Sequence, residues 1–105
     1  MNGILLIDKK QGVTSRDVVN EVAHFFNTKK VGHTGTLDPI ATGVLVVCIG
    51  NCTKLVEILT CDEKEYVATI KLGIKTDTGD ITGNIVSKKD YSFTRTTLES
   101  VLKSF

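Results

Sequence analysis

Apolar and polar positions follow three rhythms along this chain. The first is a short apolar run, Gly3 to Ile7, which predicts a buried strand and breaks at the polar turn Asp8-Lys9-Lys10-Gln11-Gly12. Thr14 and Ser15 then offer N-caps to a helix whose apolar positions Val18, Val19, Val22 and Phe26 recur at helical spacing. Arg16, Asp17, Asn20 and Glu21 fall on its wet side, and the pattern ends near Asn27. After a Gly- and Thr-rich stretch, residues 32–43, comes the most hydrophobic run of the chain, Val44 to Ile49, which reads as a central strand. Thr53 to Leu59 predicts a short helix with Leu55, Val56 and Leu59 on one face. Tyr66, Ala68, Ile70 and Leu72 alternate with Val67, Thr69 and Lys71, the period of a half-exposed strand. Turn residues 76–83 lead into a weaker strand, Asn84 to Ser87. A last helix follows, capped by Thr96 or Thr97, with Leu98, Val101, Leu102 and Phe105 apolar. The order implies an α+β fold, a mixed, largely antiparallel sheet with flanking helices, within one domain.

Composition narrows the function. The chain has 105 residues, 41% hydrophobic and 24% charged, too rich in apolar side chains for a disordered tail. Thirteen basic and twelve acidic residues leave +1, which excludes a grip on nucleic acid by charge alone. The longest apolar run has six residues where a bilayer span needs about 20. The N-terminus carries no basic leader, and a cytosolic protein is expected. Cys48, Cys52 and Cys61 fit neither a disulfide framework nor a common zinc spacing, so the thiols read as small hydrophobes.

The chemistry is expected in the 32–43 loop. In Gly32-His33-Thr34-Gly35-Thr36-Leu37-Asp38-Pro39 the proline biases Asp38 toward extended backbone and the glycines permit tight bends, so a carboxylate would be held out on a rigid tip. From Asp-Pro alone, an Asx turn serves as well. The wider stretch decides between them, because the run through Pro39-Ile40-Ala41-Thr42-Gly43-Val44-Leu45 resembles the catalytic motif of the TruB tRNA pseudouridine synthases. Gly3 to Ser15 is similar to that family's N-terminal motif, with Lys10 where the family usually has proline. Lys64-Glu65-Tyr66 and Leu72 to Asp80 match its third block.

The resemblance implies a site and a reaction. Pseudouridine formation breaks the bond from base nitrogen to ribose, turns the uracil and rejoins it through carbon. The detached base is the next reactant, so no second carboxylate is needed to activate water, and no metal or other cofactor is implied. Asp38 is then the catalytic carboxylate, Tyr66 the aromatic platform for a flipped-out base, and His33 the group that braces the gap left in the RNA. Lys9, Thr36, Lys64 and Asp80 are its candidates for substrate contact. Lys9, Lys64 and Lys75 are the local cations for Asp38, the family's own partner being an arginine in a downstream segment. The expected partner is the T arm of tRNA. The resemblance also implies the N-terminal part of a longer catalytic domain, with the downstream catalytic segment and C-terminal RNA-binding part beyond it. Little or no activity is expected of these residues alone, and self-association of a sheet left with open edges. Two rivals remain. Asp77-Thr78-Gly79 spells an aspartic-protease signature, but in polar surroundings without the facing acid that such a site needs; the same acidic turn could hold Ca²⁺ only weakly. The other is a non-catalytic RNA-binding or interaction module.

Overall fold

Side-chain parity organises the first half of the structure, a computed structural model that describes residues 1–60 and 63–105. Strand β1 (Gly3–Lys9) pairs antiparallel with β3 (Gly43–Ile49) along its whole length, Gly3 opposite Ile49 and Lys9 opposite Gly43. Strand β2 (Val31–His33) takes the other edge of β3, so the most hydrophobic run is the central strand, as its composition predicts. Leu5 and Ile7 point to one face with Leu45, Val47 and Ile49. Helix α1 (Ser15–Phe25) lays Val18 and Val22 on that face, and Leu37 closes the cluster from the loop. Each such side chain contributes about 1.5–3 kcal/mol when fully buried.

The ends of α1 follow from its caps. Thr14 is the N-cap, extended at φ −81°, ψ 160°, and Asp17 reciprocates in a capping box. The Thr14 hydroxyl accepts the Asp17 amide at 2.9 Å and the Asp17 carboxylate accepts the Thr14 amide at 2.9 Å. Ser15 is therefore the first helical residue, and its hydroxyl is free for another use. The helix stops just before the expected Asn27, whose φ of 49° turns the chain out of the helix.

The opposite face of the sheet carries Ile4, Leu6, Val44, Val46 and Cys48. A 3₁₀ turn (Gly50–Leu55) and helix α2 (Val56–Thr60) replace the single short helix expected over 53–59. Val56 reaches this face beside Gly32, where a Cβ would stand 3.6 Å from its Cγ2. Leu6 and Val44 remain 71% and 65% exposed there.

The chain divides into two compact units, Met1–Glu65 and Tyr66–Phe105. In the second, β4 (Ile74–Thr76) and β5 (Ile85–Lys88) form an antiparallel hairpin with a bulge at Lys75/Thr76, and α3 (Arg95–Leu102) follows. Two expectations are corrected here. Residues 66–72 form no strand, because alternation defines two faces but supplies no partner for the backbone, and β4 and β5 pair with each other. The cap of α3 is Thr94, extended at φ −95°, ψ 159°, whose hydroxyl accepts the Thr97 amide at 3.2 Å; Thr96 and Thr97 already lie in the first turn. No residue of this unit is buried. Every strand pair described is antiparallel, and the protein is α+β.

Candidate functional site

Asp38 stands on a loop that is clamped on both sides of it. Ahead of it, Leu37 is buried, and the Ser15 hydroxyl accepts the Leu37 amide at 2.9 Å and donates to the Leu37 carbonyl at 3.1 Å. Behind it, the Pro39 carbonyl accepts the Gly12 amide at 2.7 Å, and Gly12 reaches this position with φ +91°, a left-handed conformation that glycine adopts freely. The turn closes with the Ala41 amide donating to the Asp38 carbonyl at 2.9 Å.

Lys9 completes the clamp from below. Inward parity along β1 carries Gly3, Leu5 and Ile7 to the core, and the next inward position is Lys9, which is 1% exposed. Its ammonium donates to the carbonyls of Val13 at 2.8 Å, Lys10 at 2.9 Å and Pro39 at 3.4 Å. A buried cation is tolerated when its donors are satisfied. Lys9, expected as a substrate contact, is thus buried here with its three donors on carbonyls beneath the loop. The residues before α1 and those around Asp38 are thus one device, the first fastening the second.

The Asp38 side chain is exposed, and its carboxylate makes no hydrogen bond among the described residues. The Asx-turn role open to it from sequence is therefore not taken up by its side chain. Thr36 is exposed on the same loop. His33 ends β2 opposite Val47; it is half-buried, and its Nδ1 is buried without a partner. Lys64 belongs to the same unit, and its ammonium lies against Gly35.

Tyr66 and Asp80 lie in the second unit. Tyr66 is 61% exposed. Asp80 sits in the β4–β5 loop, where its carboxylate accepts the Thr82 hydroxyl at 2.5 Å, the Thr78 hydroxyl at 2.8 Å and the Thr82 amide at 2.9 Å. These bonds, the Thr82 hydroxyl foremost, hold its pKa below the usual carboxylate value. Asp80 is thereby occupied in shaping its own loop. Asp77 accepts the Asn84 amide at 2.9 Å, which is the bonding of a hairpin turn and not of a catalytic acid pair. Lys75 is exposed on β4. Cys48 is buried, which pushes its thiol pKa up, and both it and Cys52 are free; Cys61 lies outside the described residues. Sequence reasoning missed Ser15 and the buried position of Lys9, although strand parity pointed to the latter.

An α+β protein that displays one unspent carboxylate on a loop braced from both sides is the class that fold and site define. Residues 23–105 match the family described as TruB family pseudouridylate synthase (N terminal domain). The chain belongs to that family. It is 49% identical over 107 residues to a tRNA pseudouridine synthase B of Francisella philomiragia subsp. philomiragia, which covers all of this chain and 35% of that protein. It is 45% identical over 105 residues to the one of Pectobacterium atrosepticum, covering 33% of it, and 48% identical over 102 residues to the one of Acholeplasma laidlawii, covering 97% of this chain and 37% of that protein. The chain spans about a third of the length of these curated relatives.

Proposed function

We propose that this chain supplies the catalytic aspartate of a tRNA pseudouridine synthase, acting on a uridine in the T arm. The observation that carries the reading is the Asp38 carboxylate, exposed and without a hydrogen bond between the clamped residues Leu37 and Pro39. The relatives' names, which specify tRNA and pseudouridine, support it.

The reaction conserves every atom of the nucleoside. The bond from N1 to C1′ breaks, a bond from C5 to C1′ forms, C5 loses its hydrogen and N1 gains one. It is redox-neutral and calls for no cofactor. The protein's part is to supply one carboxylate that attacks the sugar or the base or takes a ribose proton. All three routes need an oxygen not already committed to the fold. The loop clamps provide a fixed position for it, and a fixed position is what makes such a group effective.

The target base has to leave its stack at a cost of a few kcal/mol. Tyr66 offsets much of this as a stacking platform, at about 1–3 kcal/mol per base, and His33 fills the vacated space in the RNA. Thr36 contacts the same nucleotide from the loop. The remaining two-thirds of the relatives' length corresponds to the segment that completes the site, including a positive partner for Asp38. The 105 residues alone are accordingly expected to have little or no activity.

Joining this chain to the downstream part of the Francisella philomiragia relative tests the reading. The fusion should release tritium from C5-labelled uridine in a tRNA transcript, and the 105-residue chain alone should not. Asp38→Asn in the fusion should abolish release and leave RNA binding intact. Loss of binding with unchanged turnover per bound complex would instead favour a non-catalytic RNA-binding module.

A further inference from the structure

Gly35 has no conformational reason to be glycine. Its φ is not in the left-handed region that holds Gly12 and Gly43. What the glycine leaves is space: a Cβ at Gly35 would stand 2.8 Å from Lys64 Cε and overlap Lys64 Nζ, so the end of that flexible side chain would have to shift. The ammonium therefore sits where a side chain would be, directly on the backbone of the loop that carries Asp38.

Nothing in the fold uses that ammonium. Among the described residues Lys64 makes no hydrogen bond and no ion pair, and its neighbours Glu63 and Glu65 do not pair with it. The loop amides beside it are unspent as well. Thr34 donates to the Val46 carbonyl and Leu37 to the Ser15 hydroxyl, but among the described residues Gly35 and Thr36 donate to no acceptor. A cation with three open donors against Gly35, on a loop where two consecutive amides are also open, matches a ligand that only accepts and offers several oxygens.

We propose that Gly35 and Lys64 form a seat for one backbone phosphate of the substrate RNA, next to the nucleotide on which Asp38 acts. This rests on the reading that RNA is the substrate; it narrows the substrate contact expected of Lys64 to a phosphate and gives Gly35 a part in that contact. The role of Gly35 is to leave room; that of Lys64 is to supply charge. A single phosphate contact positions the nucleotide and carries no sequence information.

The two residues make one site, and that is what the test reads. Binding of a T-arm RNA hairpin is measured against salt concentration, using the full chain fused to the downstream part of the Francisella philomiragia relative and carrying Asp38→Asn to prevent turnover. Lys64→Gln should lower the log–log salt slope by about 0.7–0.9, the value for one phosphate contact, whereas Lys64→Arg should restore most of it. Gly35→Ala, with Lys64 retained, should lower the slope by the same amount, and the double variant should fall no further. Circular dichroism checks that each variant is folded. An unchanged slope in Lys64→Gln, or losses that add in the double variant, overturns the seat while RNA binding itself stands. A fusion that does not bind the hairpin at all overturns the RNA reading and the seat with it.

Discussion

Ser15 shows how much one hydroxyl can fix. It both donates to and accepts from the backbone of Leu37, a buried residue 22 positions away. Ser15→Ala strands a buried amide and a buried carbonyl together, a loss of about 1–3 kcal/mol for each group left unsatisfied. Urea unfolding of the variant should show a loss of about 2–6 kcal/mol for the two groups together with an unchanged m-value, and the active fusion should lose turnover along with stability because the Asp38 loop loosens. An unchanged midpoint would remove Ser15 from the clamp. The residue types in this clamp were visible in the sequence, but their roles were not. Ser15 was legible only as an alternative N-cap, since no local pattern announces a bond to a loop so far along the chain. Asp38 was legible because proline and glycine restrict the backbone around it.

At the scale of elements, local rules succeeded where a segment carries its own partner. Helix α1 holds its capping box within four residues, and its apolar face repeats three times. Thr14→Ala should cost about 1 kcal/mol, read as a shift of the unfolding midpoint. The same box gives a pH dependence. The amide and hydroxyl of Thr14 depress the pKa of Asp17 below 3.8, so the box's contribution is fully present above that value and lost as pH falls through the lowered one. Stability measured from pH 6 downward should therefore drop below about pH 4 in the parent, and Asp17→Asn should remove that part of the drop. Local rules failed where the partner is remote or absent. The alternation of residues 66–72 predicts a half-exposed strand, yet all seven are exposed and no strand forms. Strand β4, three residues among threonines, glycines and aspartates, was too short to stand out as anything but turn.

For the whole molecule, the open surfaces are the informative feature. Leu6 and Val44 expose an apolar patch on the sheet, with Ile4 beside them at 44%, and the 66–105 unit buries none of its side chains. Monomeric proteins rarely leave large apolar patches open, and these surfaces are the ground for the expected self-association. Light scattering should show a mass that rises with concentration, and Leu6→Glu should suppress the rise. A constant monomer mass across the range would contradict it. No helix among the described residues is long and apolar enough to cross a membrane. The charge balance of +1 fits the proposed reading, in which a few placed groups rather than a broad basic surface would meet RNA.

The proposed role of Asp38 is that a carboxylate left out of the fold's own bonding performs the isomerisation. Single-turnover tritium release by the fused enzyme, with and without Asp38→Asn, addresses it most directly. The parent should release tritium and the variant should show only background at saturating, equally bound RNA. Release by the variant at the parental rate would contradict it.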